Sequence, residues 1–288
     1  MPVLYVVATP IGNLEDISLR ALRVLGEAKL IAAEDTRKTR RLLTAYDIKT
    51  PMTSYYEHNK LTKLDYILAC LTKGDVALVS EAGMPGISDP GYELVVAANQ
   101  RGIPVVPVPG PSAITTALAI SGLPTDRFIY IGFLPPKSHA RRRALESVAH
   151  ETGTIIALEA PHRLLAAIND ILVTLGDRRI AVCRELTKLH EEVFRGKVSE
   201  AIKHFTEPRG EFTLVIEGKG ADSKPELTEA VASQLHRMYL SGATAKEAIA
   251  IVSGETGLSK KELYKTWLGL DKVWDREKGP CQNCERRK

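Results

Sequence analysis

The stretch that most limits what this chain can fold into is Val76-Ala77-Leu78-Val79 and the segment that follows it. Four consecutive apolar residues with no polar alternation, bounded by turn-forming residues, read as a strand buried on both faces, which is the environment of a parallel sheet with helices on each side. The strand runs straight into Ser80-Glu81-Ala82-Gly83-Met84-Pro85-Gly86-Ile87-Ser88-Asp89-Pro90-Gly91, and residues 92–99 then read as a helix. Open α/β sheets bind ligands in such loops, beyond the carboxyl ends of their strands. The glycines let main chain approach a ligand closely and the prolines stiffen the loop. A plain solvent loop is the competing explanation, but loops of this length inside compact domains are usually functional.

The same rhythm repeats through residue 121. Residues 3–8 form a strand, ended by Thr9-Pro10-Ile11-Gly12-Asn13-Leu14. One glycine stands where the dinucleotide fingerprint has three, which argues against a nicotinamide cofactor. Ser18 caps a helix carrying Leu19, Leu22 and Leu25. Leu30-Ile31-Ala32-Ala33 is a second strand, ended by Glu34-Asp35-Thr36-Arg37, and a helix to residue 46 buries Leu42 and Leu43. Glu34 and Asp35 form a polar group where a site would lie, with Asp35 or Thr36 as a mere N-cap the alternative. A short strand at 51–54, a helix over 61–71, the central strand, and a strand at 104–108 follow. Pro109-Gly110-Pro111-Ser112-Ala113 opens a helix over 114–121, so Ser112 and the first amides can donate to a ligand. Strand-helix alternation of this kind predicts an α/β fold with a parallel, doubly wound sheet.

Gly122-Leu123-Pro124-Thr125-Asp126 interrupts the rhythm and marks a boundary, giving a first domain over 1–122 and a second over 123–220. The second carries strands near 128–131, 154–158, 179–182 and 212–216, helices over 140–149 and 163–175, and an edge strand or hairpin near 191–198. Residues 218–225 have linker composition. The remainder, 221–288, is a separate helical module with helices over 227–240, 244–256 and 260–268. A turn at 257–259 and a cap at Ser259 outline a helix-turn-helix, an outline many small bundles share. The charged tail from Asp271 reads as loose.

A length of 288 residues with 44% apolar content suits two domains and a small third. No apolar run approaches the roughly 20 residues that span a bilayer, and no basic leader is evident, so a cytoplasmic protein without a membrane partner is expected. The net charge of +4 does not by itself announce nucleic acid. Its distribution says more: Arg37, Arg40 and Arg41 form one basic cluster, and Arg141, Arg142 and Arg143 another, each beside a candidate ligand loop. A polyanion partner and a solvated helix face are both compatible with them. Cys70 and Cys183 fall in apolar contexts and read as small buried hydrophobes. Cys281 and Cys284 have the spacing of half a zinc site, but no second pair or histidines lie nearby, and no metal is expected.

Six motifs occur in order: Thr9-Pro10-Ile11-Gly12-Asn13-Leu14, Ala33-Glu34-Asp35-Thr36-Arg37, the 80–91 loop, Pro109-Gly110-Pro111-Ser112-Ala113, Ala160-Pro161-His162-Arg163-Leu164 and Arg184-Glu185-Leu186-Thr187-Lys188. Over about residues 3–218 the chain resembles the bacterial ribosomal RNA small subunit methyltransferase I family, a branch of the tetrapyrrole methylases. The last helices resemble that family's helix-turn-helix extension. The resemblance implies two α/β domains of tetrapyrrole-methylase type with the cofactor in the cleft between them. It implies S-adenosylmethionine as methyl donor, the ribose 2′-oxygen of a cytidine in the decoding region of small-subunit (16S) ribosomal RNA as acceptor, the RNA or 30S particle as partner, and a homodimer.

Carried over residue by residue, it implicates Pro10, Ile11, Ser80, Glu81, Ala82, Gly83, Met84, Ser112 and Ala113, and from the second domain Leu158, Leu186 and Phe212, in cofactor binding. Glu81 and Met84 stand where the family usually has Asp and Thr, so contacts there are expected from backbone. Candidate bases for the hydroxyl proton are Asp35, Glu34, Glu185 and His162, the last with a structural cap as its alternative. Arg37, Arg40, Arg41, Arg141, Arg142, Arg143, Arg163 and Lys188 are candidates for phosphate contacts. Two other functions remain compatible with the residues: a tetrapyrrole methyltransferase on the same fold, against which the basic clusters and helical module count, and a non-catalytic RNA-binding assembly protein, against which the ligand loops count.

Overall fold

In a computed structural model the structure describes residues 2–220, 229–256 and 258–277. The first ten elements alternate as the periodicity predicts: β1 (Leu4–Val7), α1 (Leu19–Glu27), β2 (Leu30–Ala33), α2 (Thr36–Ala45), β3 (Met52–Ser54), α3 (Lys60–Leu71), β4 (Val76–Val79), α4 (Tyr92–Gln100), β5 (Val105–Val108) and α5 (Ala113–Ile120). The strands form one sheet in the order β3-β2-β4-β1-β5, every neighbouring pair parallel. All four residues of β2 and of β4 are buried. Their alternation feeds two cores: Ile31, Ala33, Ala77 and Val79 pack with Leu25 and Leu42 on one face, and Leu30, Ala32, Val76 and Leu78 with Leu68 and Leu94 on the other. The chain moves outward from β1 to β2 and β3, then returns to insert β4 between β2 and β1. The loops after β1, β4 and β5 therefore converge at the carboxyl edge, where the strand order reverses.

The second half contributes β6 (Phe128–Phe133), α6 (Ser138–Glu146), β7 (Thr154–Glu159), α7 (Leu164–Leu175), β8 (Arg179–Arg184), β9 (Glu192–Lys197), α8 (Val198–His204) and β10 (Phe212–Ile216). They form a mixed sheet in the order β6-β7-β10-β8-β9, with only β6 and β7 parallel. The segment near 191–198 is an edge strand, antiparallel to β8 along its whole length. One face packs Ile155, Val182 and Leu214 under Leu145, Ile168 and Phe205. The opposite face sets Ile156, Ala181, Cys183 and Val215 against Ile11, Ala117 and Leu118 of the first half. The two sheets thus share a core, and residues 1–219 cluster as one compact unit.

A second unit comprises residues 220–288. Its described part has α9 (Glu229–Leu240), α10 (Ala245–Thr256) and α11 (Lys260–Glu277). Leu235, Val252, Leu258, Leu263 and Trp267 form its core. Ser259 caps α11 reciprocally with Glu262: its hydroxyl accepts from the Glu262 amide at 3.2 Å and donates to the Glu262 carboxylate at 2.7 Å. That last helix is longer than its apolar pattern predicts and runs through the start of the charged tail to Glu277. Most of the 218–225 linker, Gly257, and Cys281 with Cys284 lie outside the described residues.

Candidate active site

The loops after β1 and β4 are locked together by main chain before any ligand is considered. Thr9 and Gly83 exchange two backbone hydrogen bonds, each 2.9 Å. Gly83 adopts φ +78°, a conformation that L side chains rarely take, which brings the loop flat against the loop after β1. Ser80 is buried beneath it and donates to the Ala82 carbonyl at 3.2 Å.

Above this floor lies a cleft of about 410 Å³ between the two sheets. From the first half it is lined by Ile11, Ala82, Gly83, Met84, Ser112 and Ala113; from the second by Tyr130, Phe133, Leu158, Ala160 and Phe212. Ser112 is the N-cap of α5 and makes no side-chain cap bond, so the first amides of that helix open toward the cleft. The acidic residues Glu34, Glu81, Asp89, Glu159 and Glu211 also line it.

These carboxyl groups are not equivalent. Glu81 is ion-paired with Lys38, Glu159 with Arg163 at 2.7 Å, and Glu211 with Lys188 at 2.9 Å. Glu34 accepts from the Glu81 amide at 3.0 Å, and burial raises its carboxyl above the ordinary range against the pull of Lys38. Burial, reinforced by the charge of Glu34, pushes Asp89 up to about 7, opposed by a hydrogen bond with the Ser80 side chain. Burial likewise raises Glu159, one of whose oxygens is buried without a partner among the described residues. A cleft with apolar walls, uncapped helix amides at one end and the carboxyl groups of Glu34 and Asp89 free of ion pairs among the described residues suits an amphiphilic ligand carrying both a cation and a carboxylate.

Among the cofactor-contact expectations, Ile11, Glu81, Ala82, Gly83, Met84, Ser112, Ala113, Leu158 and Phe212 line the cleft. Three do not. Pro10 faces a smaller adjoining cavity, about 170 Å³, beside Gly12, Lys38 and Lys188. Ser80 supports the loop from below, and Leu186 is buried in the core between the sheets. The Glu81 side chain turns back to Lys38, and what it offers the cleft is main chain.

The candidate bases separate in the same way. Only Glu34 lines the cleft. Asp35 caps α2, accepting from the Arg37 amide at 2.8 Å and the Lys38 amide at 3.3 Å; the Arg37 amide above all holds its carboxyl below the usual range. Glu185 is bound by the Glu211 amide at 2.8 Å and Lys188 at 3.0 Å, which outweigh burial and keep it ionised. His162 lies in a short 3-10 turn facing a separate groove with Leu165 and Arg209.

Among the phosphate candidates, Arg37, Arg40 and Arg41 line an exposed groove along α2, and Arg142 and Arg143 another along α6. Arg141 is a correction: it is 3% exposed and paired with Asp170, so it cannot reach a phosphate. Arg163 and Lys188 are tied to carboxylates of the cleft wall. Asp89, Tyr130 and Glu159 were not singled out as site residues: Asp89 sits among the turn formers of the 80–91 loop, Tyr130 on a strand that read as core, and Glu159 one residue past another.

The fold and this cleft define a tetrapyrrole-methylase architecture. The sequence profile described as Tetrapyrrole (Corrin/Porphyrin) Methylases matches residues 3–202. A uroporphyrin-III C-methyltransferase from Thermus thermophilus, solved with S-adenosylhomocysteine, superposes with a TM-score of 0.53 at 21% identity, over 75% of this chain and 97% of that one, a likeness of fold. Among curated relatives, "Ribosomal RNA small subunit methyltransferase I" of Halalkalibacterium halodurans is 48% identical over 92% of this chain and 94% of its own length. The same-named protein of Thermotoga maritima is 53% identical over 219 residues, which are 75% of this chain and 98% of that relative. The chain belongs to the ribosomal RNA small subunit methyltransferase I family.

Proposed function

We propose that this methyltransferase binds S-adenosylmethionine in the cleft between its two sheets and methylates the ribose 2′-oxygen of a cytidine in the decoding region of small-subunit ribosomal RNA. The observation that carries the reading is the cleft itself, built by the Thr9–Gly83 clamp on one side and Leu158 and Phe212 on the other. Ile11, Leu158 and Phe212 supply apolar surface for a purine, the α5 amides suit a carboxylate, and the acidic groups Glu34 and Asp89 suit the cationic part of the donor. When bound, the cofactor supplies a methyl group on a positively charged sulfur. The protein's part is positioning: holding acceptor, methyl and sulfur in line, which is worth about 7–11 kcal/mol of the barrier.

In this reading residues 1–122 and 123–220 act as two domains that close on the cofactor. Arg37, Arg40, Arg41, Arg142 and Arg143 hold RNA phosphates of the 30S particle, and 221–288 anchors the substrate. The protein works in the cytoplasm as a homodimer. The target nucleotide leaves its stack to reach the cleft, at a cost of a few kcal/mol. Names of relatives specify ribosomal RNA, and the exposed arginine faces favour that polyanion over a tetrapyrrole. Calorimetry with S-adenosylhomocysteine, followed by mass mapping of small-subunit RNA from a deletion strain, tests the reading. Binding with loss of one 2′-O-methylcytidine supports it; an unchanged methylation pattern refutes it.

A further inference from the structure

Resting on that reading, we propose that Asp89 is the general base that takes the proton from the acceptor ribose hydroxyl, with Glu34 as its acidic neighbour in the cleft. Of the cleft carboxyl groups, Glu81, Glu159 and Glu211 are each neutralised by a cation. Asp89 and Glu34 have no ion-pair partner among the described residues and face the same cavity. Burial first, and then the charge of Glu34, disfavours ionisation of Asp89.

An aspartate shortly before a helix is most often its cap. Asp89 is not: Gly91 caps α4, and no side-chain bond is made there. The backbone instead spends an unfavourable conformation on turning this segment. Ser88 sits at φ +65°, and its hydroxyl meets the Tyr130 hydroxyl at 2.6 Å, which ties the loop carrying Asp89 to β6 on the far wall. Strain of this kind in a non-glycine residue collects at functional sites. The groups facing Asp89 are Glu34 from the end of β2, Ser80 from the end of β4 and Tyr130 from β6, with Lys38 acting on Glu34 from α2.

The step balances with residues already present. As the ribose oxygen forms its bond to the methyl carbon, the carbon–sulfur bond breaks and its electron pair stays on sulfur, leaving a neutral thioether. The hydroxyl proton passes to the Asp89 carboxylate and from there to solvent. A carboxylate with an ordinary low affinity for protons would be a weak base; this one is matched to neutral pH.

The test uses the full-length enzyme, S-adenosylmethionine and purified unmethylated 30S subunits. Asp89→Asn is expected to lower kcat at least about 100-fold while the Kd for S-adenosylhomocysteine stays within about threefold. In the wild-type enzyme, kcat/KM for the methyl donor should rise with pH and level off around a midpoint near 7. Glu34→Gln should move that midpoint down by roughly one pH unit, because it removes the neighbouring negative charge, a response that a structural role would not give. An Asp89→Asn enzyme with wild-type kcat, an equal loss of cofactor binding and turnover, or a midpoint unmoved by Glu34→Gln overturns the assignment. A wild-type enzyme that binds S-adenosylhomocysteine but leaves 30S subunits unmethylated overturns the functional reading and this assignment with it.

Discussion

The guanidinium of Arg141 meets the carboxylate of Asp170 at 2.6 Å, with the two side chains 4% and 5% exposed. Asp170 also accepts from Ser138 at 3.0 Å and from Arg142 at 2.7 Å, so three residues of α6 converge on one acid of α7. Removing one partner of a buried pair leaves the other charged in a dry interior, at about 3–5 kcal/mol. Arg141→Met should cost near the lower end of that range, because Arg142 remains, and chemical denaturation should show it. Arg143→Met on the exposed side of α6 should leave stability within about 0.5 kcal/mol and weaken 30S binding instead.

This pair also shows where a sequence reading stops. Arg141, Arg142 and Arg143 look alike in a basic run, yet a helix turns successive residues by about 100°, and only Arg141 faces the core. The strands buried on both faces were legible because both faces want apolar residues: β2 and β10 fall on the predicted residues. The seven-residue α8 was not, because only Val198 and Ala201 are buried on it. The loops of the cleft were legible from glycine, proline and strand ends. The carboxylate that faces into it was not, since the loop carrying Asp89 is tied down by Ser88 bonding to Tyr130, 42 residues from Ser88 in sequence.

Gly12 has no room for a side chain. A methyl group there would meet the Thr187 hydroxyl at 2.7 Å, the Leu186 carbonyl at 2.8 Å and the stem of Lys188. The carbonyl belongs to main chain, and Thr187 already sits at φ +65°, so the neighbouring loop must shift. Gly12→Ala should cost about 1–3 kcal/mol by overpacking. It should also weaken S-adenosylhomocysteine binding about tenfold by displacing Ile11 from the cleft wall, as calorimetry would register.

Arg40 and Arg41 are exposed on α2 and make no ion pair among the described residues. As phosphate contacts, each contributes to the salt dependence of RNA binding. The double change Arg40→Gln, Arg41→Gln should flatten the slope of log K against log salt by about 2 and leave the Kd for S-adenosylhomocysteine unchanged. An unaltered slope in filter binding with 30S subunits would remove α2 from the RNA interface.

Residues 1–219 form their own compact unit, and the Thermotoga maritima relative reaches 98% of its length within 219 matched residues. A chain ended after Gly220 should therefore fold, melt cooperatively and bind S-adenosylhomocysteine with an affinity within about threefold of the full chain. Its 30S affinity should fall by at least about tenfold if the helical unit anchors the substrate. Equal loss of both affinities would make α9, α10 and α11 part of the catalytic body.

Asp89 links stability to pH in a direction opposite to most acids. Its folded carboxyl binds a proton up to about pH 7, whereas in the unfolded chain it ionises around 3.8. The folded state thus holds the extra proton between those values, and stability falls as pH rises through that window. Below about 4 both states are protonated and the group is neutral to stability. Asp89→Asn removes the titration, so its melting temperature should exceed the parent's at pH 8, and the difference should shrink steadily as pH falls from 7 toward 4. The parent keeps this destabilising acid because a base that must accept a proton at neutral pH has to be uncomfortable when ionised, which is a trade of stability for activity. Melting curves of the two proteins at pH 5 and pH 8 decide the point: a constant offset would mean that Asp89 is ionised throughout and that burial does not govern it.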